Sequence, residues 1–260
     1  MFSRAVIYIS IIGMIGFFVF IGKSFLVCRN HIGVKAVNAC TNIITFMPFN
    51  SIKILGLRMR AVKYEKMNEI QDAYNDYAAL IELNEKMGGK QLSADDILMV
   101  YEKNASLASI LKRHAEAFKY SDLAIVKGSE HPEIYRIRGE ENIGNSNYLE
   151  AINDLNKALL LGLNTPQIQF NLGRAHMRIH KYKAASNYFK KVEREMQNDF
   201  DFNIVKGYFY YKLEQYESSL RHYKVALRLD PSNAMCLKNI KKVERKIRNK
   251  FKRQNTSVFY

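Results

Sequence analysis

A chain of 260 residues that is 48% hydrophobic and 25% charged is long enough for a continuous core and too apolar to stay disordered. Its three cysteines, Cys28, Cys40 and Cys236, are odd in number and scattered. That implies no disulfide framework and shows no metal-like or redox-like spacing, and mildly favours a reducing compartment. Of the formal net charge of +15, the segment from Lys238 to Arg253 carries +8, so half the excess sits in one tail.

Taken in chain order, Met1 to Arg4 is short and basic, and Ala5 to Gly22 is a run of 18 apolar or weakly polar residues closed by Lys23. As a helix rising about 1.5 Å per residue, the run approaches the thickness of a bilayer core, which predicts an N-terminal transmembrane anchor over residues 1–28. A secretory signal peptide is the rival reading, but no small-x-small cleavage site comes after it. Ser10, Gly13 and Gly16 form a stripe of small residues where another membrane helix could approach, or are simply lipid-facing. Lys23, Arg29 and Lys35 outweigh Arg4 and the α-amino group by one charge, so the expected localisation is single-pass with the rest of the chain on the cytoplasmic side. Residues 29–57 read as a juxtamembrane linker, broken by Pro48, that either lies on the membrane surface or packs under the remainder of the chain.

Across 58–97 the spacing of Met67, Ile70, Tyr74, Tyr77, Leu80, Ile81 and Leu83 is helical, and Gly88-Gly89 ends it. This predicts an N-terminal capping helix or a degenerate repeat. Ser93, with Asp96 three positions on, has the form of a capping box.

From Leu98 to Asn233 one pattern recurs every 34 residues. The step links Ala105, Gly139, Gly173 and Gly207, then Ala117, Ala151, Ala185 and Ser219, then Ala124, Ala158, Val192 and Ala226. It also links Tyr148, Tyr182 and Tyr216, and Leu155, Phe189 and Tyr223. Within Pro132 to Thr165 a helical segment, the turn cluster Gly144-Asn145-Ser146-Asn147 and a second helical segment come in succession, so each unit reads as two antiparallel helices. Small residues at the Gly139 and Ala151 columns would let the paired backbones approach closely. Neither helix can bury its apolar face alone, so the units must stack. Pro132 and Pro166 fall where a helix start tolerates a missing N–H.

With Leu172-Gly173, Ala185 and then Phe189 four later, and Pro231, the pattern resembles the tetratricopeptide repeat family. The resemblance implies an all-α solenoid of four helix hairpins, at 98–131, 132–165, 166–199 and 200–233. His114 and Ser121 stand in aromatic columns of the first. It also implies a concave surface that binds a protein segment, with Arg136, Glu140, Phe170, Arg174, Met177, Arg178, Ile204, Tyr208, Tyr211 and Lys212 in its groove-facing columns. Arg and Tyr are favoured at binding hot spots, and basic groups suit an acidic or amphipathic partner segment. The competing reading is that Phe170, Met177 and Ile204 are core and the arginines a solvated face. Family members that clamp chaperone tails use Lys, Asn, Asn, Lys and Arg. Here only Asn171 agrees, since Glu140 replaces an Asn and Asp201 and Val205 stand where Lys and Arg are needed, so that docking is disfavoured.

Residues 234–260 predict a C-terminal capping helix and tail: Leu237, Ile240, Val243, Ile247 and Phe251 share one face, and Lys241, Lys242, Arg245, Lys246, Arg248 and Lys250 belong to the basic one. The basic face is either a solvated outer surface or a contact for anionic lipids. Nucleic acid is disfavoured because only Phe251 interleaves with the basic run. No phosphate loop or nucleophile elbow is present. His176 and His180 are four apart, a metal-ligand spacing, but Met177 stands where a metalloprotease has Glu, so packing roles are expected. No cofactor, metal or catalytic residue is expected. The expected function is a membrane-tethered interaction scaffold, adaptor or assembly factor; the alternative is a permanent structural subunit of a larger membrane complex.

Overall fold

The computed structural model describes the backbone of residues 2–256 and the side chains of residues 14–252. Among the described residues every regular element is an α-helix, thirteen in all. The chain divides within α7 (Pro132–Gly144) into two compact units, residues 1–138 and 139–260, each built of stacked antiparallel helices.

The first unit pairs α1 (Phe2–Asn30) with α2 (Val34–Phe46), α3 (Asn50–Lys66) with α4 (Ile70–Lys86), and α5 (Ala94–Ile110) with α6 (His114–Val126). The expected transmembrane anchor, and with it the single-pass localisation and the cytoplasmic placing of the repeats, needs correction. Among the described residues no helix is long and apolar enough to cross a membrane. From Ile21 onward α1 is a packing helix, with Ile21, Ser24 and Cys28 buried and Lys23 and Arg29 on its exposed side. The side chains of residues 1–13, including Ser10 and Gly13 of the expected small-residue stripe, lie outside the described residues. The lipid-contact reading of the basic tail rested on that anchor and falls with it.

The supposed linker is also corrected. Residues 34–46 are all helix, with Ala36, Val37, Ala39, Cys40 and Ile43 buried. Contrary to the expectation of unpaired cysteines, Cys28 and Cys40 form a disulfide joining α1 to α2. The helix expected over 58–87 is two helices, broken at Asn68, whose φ of 59° is left-handed. Arg60 of α3 then ties three helices together: it grips Asp76 of α4 with two bonds of 2.8 and 2.7 Å and donates to Thr41 Oγ1 of α2 at 2.8 Å.

Asn68 is one of five non-glycine residues in the left-handed region among the described residues, the others being Lys112, Ser146, His180 and Glu214. Each sits in a hairpin turn and ends the first helix with a Schellman-type closure, as in Glu69 N–H to Tyr64 O, 2.9 Å, and Gln215 N–H to Tyr210 O, 3.0 Å. The last four are 34 apart, but Asn68 precedes Lys112 by 44. The additional residues lie around the loop at 87–93, which buried Asn84 pins by accepting from the N–H groups of Gln91 and Leu92. Counted from the turn and not by a fixed step, Ala61 and Ala73 occupy the same places as Gly139 and Ala151, and both are fully buried. Residues 50–86 are therefore a further hairpin in the same register, which a constant period of 34 cannot find.

The second unit contains α8 (Tyr148–Leu160), α9 (Pro166–Arg178), α10 (Tyr182–Met196), α11 (Phe200–Lys212), α12 (Tyr216–Leu229) and α13 (Ala234–Thr256). Thr165 caps α9 by accepting from Ile168 N–H at 3.3 Å, and Asp199 caps α11 by accepting from Phe202 N–H at 2.7 Å. Gly162, at φ 94°, closes the C-terminus of α8. Its counterpart one repeat on is Met196, and α10 runs two residues longer than α8.

Inside each hairpin, the first helix offers a surface without a side chain to a bulky residue 16 positions on. A Cβ built at Gly139 would come within 2.9 Å of Leu155, at Gly173 within 2.5 Å of Phe189, and at Gly207 within 2.7 Å of Tyr223. Ala61 and Tyr77 stand in the same relation in the first unit, as do Ala105 and Ser121, where the small residue gains a methyl and the bulky one shrinks. Phe189 is also the hub of an aromatic cluster, with ring centroids 6.2 Å from Phe170, 6.2 Å from Phe202 and 5.3 Å from Phe209. Overpacking a well-filled core costs about 1–3 kcal/mol. Gly173→Leu is therefore expected to lower the thermal midpoint clearly, whereas Lys181→Ala, on an exposed side chain, leaves it nearly unchanged. Equal shifts for the two would contradict this packing.

Candidate functional site

The groove-facing columns of the second unit do not all meet. Arg174 and Met177 on α9, Arg178 at its end, and Ile204 and Tyr208 on α11 line one cavity of about 360 Å³. Val205 completes the α11 side, while Ile143, Gly144, Ser146 and Tyr148 close the cavity from the preceding turn. The floor is apolar, from Ile143, Met177, Ile204 and Val205, and the rim carries two guanidinium groups and two phenols.

The cations are held by rings and by neutral acceptors. Arg178 donates to Tyr148 Oη at 2.8 Å and lies over the Tyr148 ring at 5.3 Å. Tyr148 in turn donates to Ser146 Oγ at 3.1 Å. The contact with Ser146, and after it the neighbouring Arg178, lowers the Tyr148 phenol below its ordinary pKa. Arg174 is half-buried, sits 5.5 Å over the Phe170 ring and donates to Asn171 Oδ1 at 3.1 Å. Burial lowers its pKa, against the pull of Asp201 and Glu140. Asn171, 1% exposed, is fixed from the other end by donating to Glu140 Oε1 at 2.9 Å. Glu140 thus acts one step behind the cavity, by orienting the amide that accepts from Arg174.

The other groove candidates lie elsewhere. Phe170 is 1% exposed and belongs to the ring cluster of the core. Tyr211 packs on Tyr216 and is covered by α13, with Lys242 Nζ 4.6 Å from its ring centroid. Lys212 is exposed but does not line the cavity. Arg136 lies in the first unit, where it grips Glu133 at 2.8 and 2.5 Å. Tyr148 appears in the sequence pattern only as one of the positions linked by the 34-residue step. The signal that could have found it is its place directly after a hairpin turn, one repeat before Arg178. In the tail, Lys241, Lys242, Arg245, Lys246, Arg248 and Lys250 are all exposed, and α13 packs through Cys236, Ile240, Val243 and Ile247.

His176 and His180 have separate duties. His176 stacks on Tyr188, with centroids 5.3 Å apart and planes 11° from parallel, while His180 forms the left-handed turn and contacts Tyr182 Oη at 2.9 Å. The same pair of columns holds Asn142 donating to Asp154 at 3.1 Å one repeat earlier, and Tyr210 stacked on His222 at 5.3 Å one repeat later. His222 Nδ1 meets Asn203 Oδ1 at 2.9 Å, and beside it buried Lys206 donates to Glu193 at 2.6 Å.

A helical hairpin closed by a left-handed residue, with a small residue under a bulky one 16 positions later and a step of 34, defines the tetratricopeptide class of fold. Residues 166–233 match the family model described as YpiA-like, C-terminal tetratricopeptide repeats. Among curated proteins, the chain is 29% identical over 130 residues to dynein axonemal assembly factor 4 of Pongo pygmaeus, covering 46% of this chain and 31% of that protein. It is 25% identical over 133 residues to the Rattus norvegicus protein of that name, covering 48% of this chain and 31% of that one. The chain thus spans about a third of the length of these relatives. Among solved structures, YrrB, described as a TPR protein with an unusual peptide-binding site, matches at a TM-score of 0.54 and 18% identity over 72% of this chain and 92% of that one. A MamA structure matches at 0.52 and 16% identity over 69% and 98%. At these identities the structural likeness is one of fold.

Burial, then Lys206, lowers the His222 pKa from the usual 6.5 to about 4. Because the folded form resists protonation, the unfolded chain binds more protons between those values, and His222 contributes stability that is lost as pH falls from 6.5 to 4. His222→Phe keeps a ring on Tyr210 without the titration. The urea midpoint of the variant is expected to fall less steeply than that of the wild type across this window; parallel curves would refute the assignment.

Proposed function

We propose that the chain is a non-enzymatic protein-interaction scaffold of the assembly-factor kind, whose second unit holds an acidic or amphipathic segment of a partner in the cavity between α9 and α11. The observation that carries this reading is the juxtaposition of Arg174, Arg178 and Tyr148 over an apolar floor. A segment carrying a carboxylate beside an apolar side chain matches both surfaces at once. The arginines are prearranged by ring stacking and by neutral acceptors, so a partner carboxylate can approach without first displacing a strong ion pair. The relatives named as assembly factors and the peptide site in the description of YrrB support the same class of work.

Arg178 is the better residue to reverse, because it is exposed, whereas Arg174 is half-buried on Phe170. Arg178→Glu is expected to weaken binding of acidic peptides severalfold at about 0.15 M salt, and the deficit should shrink toward 1 M, where screening shortens the Debye length from about 8 to about 3 Å. Lys246→Glu, on the outer face of α13, serves as the control with unchanged binding. Fluorescence anisotropy on a peptide panel and comparative affinity purification read both variants. If Arg178→Glu retains the peptides and the natural partners as the wild type does, the cavity is not the docking surface. A stoichiometric partner set that survives high salt would instead identify a permanent complex subunit.

A further inference from the structure

A second cavity, of about 390 Å³, lies wholly within the first unit, where the end of α1 meets α3. Phe25, Leu55, Met59 and Val62 form its apolar wall, and Arg29, Arg58 and Lys63 bring three cationic side chains to it. The wall is firmly built, since Phe25 and Met59 pack on the cluster around the Cys28–Cys40 disulfide.

Lys63 is the unusual member. It is 8% exposed, yet among the described residues its ammonium donates only to a backbone carbonyl, Arg29 O, at 3.3 Å. A buried ammonium without a carboxylate is unfavourable. Here burial, and after it the like charge of Lys66, lowers its pKa, although the carbonyl end of α1 provides some compensation. The acids nearby are committed elsewhere. Asp96 binds Arg58 at 2.7 Å, Glu65 accepts from Tyr77 and Lys103 at 2.9 Å each, and Asp76 is held by Arg60. The cavity therefore combines an apolar slot of a volume usual for small-molecule sites with a positive charge that has no counter-anion among the described residues.

We propose that this cavity binds a small amphiphilic carboxylate, with its anionic end on Lys63 and Arg29 and its alkyl chain along Phe25, Leu55, Met59 and Val62. The site is separate from the peptide cavity of the second unit and does not rest on it. An inorganic anion would leave the apolar wall uncovered, and an alkyl cation would be repelled by Lys63 and Arg29, while Arg58 is already matched by Asp96. Both halves of the ligand are thus required.

Isothermal titration of the full chain with octanoate, acetate and octylammonium tests this directly. Octanoate is expected to bind at least tenfold more tightly than either of the others. Lys63→Met, which keeps the length of the side chain and removes the charge, should weaken octanoate at least tenfold while circular dichroism stays unchanged. Val62→Phe, which fills the slot, should abolish binding without touching a charge. If octanoate and octylammonium bind alike, or if Lys63→Met binds octanoate as the wild type does, the space is an apolar packing gap and the proposal fails. It fails equally if octanoate does not bind the wild-type chain.

Discussion

The contact on which the repeats depend is the close approach of two helix backbones where one side chain is missing. At Gly173 a single added carbon would sit 2.5 Å from the Phe189 ring, well inside van der Waals contact. The ring therefore occupies the space that a side chain on the first helix would need, and it bonds the hairpin internally while its other edges reach Phe170, Phe202 and Phe209. One residue thus closes its own hairpin and seats the next. This is how a unit whose helices cannot bury their apolar faces alone becomes stable by stacking.

The same pairing explains which substitutions the repeats have absorbed. Volume moves between the two members in 98–233, where glycine accompanies Leu155, Phe189 and Tyr223 and Ala105 accompanies Ser121, whereas Ala61 keeps a bulky partner in Tyr77. Chemistry moves in the same way at Asn142 with Asp154, His176 with Tyr188 and Tyr210 with His222, where an amide–carboxylate bond gives way to stacked rings of exchanged identity. What is kept in each case is two flat or planar groups filling one gap between paired helices. That gap is filled by a hydrogen bond in one repeat and by stacking in the next two, and stacking leaves the buried Nδ1 of His176 without a hydrogen-bond partner among the described residues.

Charge is deployed differently in the two units. In the first, Arg58, Arg60 and Lys103 are matched by Asp96, Asp76 and Glu65 across helices, so these pairs fix helix order, whereas Lys63 donates to a backbone carbonyl. In the second, Arg174 and Arg178 rest on Phe170 and Tyr148 and on neutral oxygen acceptors. Ring faces hold a guanidinium in place without neutralising it. A cation kept this way remains available to an anion arriving from outside, which is the physical difference between a structural ion pair and a recognition surface.

The hairpins of 98–233 were legible in the sequence because their geometry repeats at a fixed step, and the glycine columns announced the close approach. Residues 50–86 were not, because the loop pinned by Asn84 adds ten positions and breaks the step while leaving the hairpin intact; only the turn at Asn68 restores the register. The cavity residues on α9 and α11 could be listed from their columns, but a column does not say whether a side chain faces a groove or a neighbour. The packing of Phe189 and Phe202 took Phe170 into the core, and α13 covered Tyr211. Tyr148, the Cys28–Cys40 bond and the unpaired ammonium of Lys63 are encounters between residues 30, 12 and 34 positions apart, with no shared local pattern to announce them. An apolar run near the start of the chain reads alike whether its helix faces lipid or packs on protein. From Ile21 onward the contacts with α2 and α3 show that α1 packs on protein.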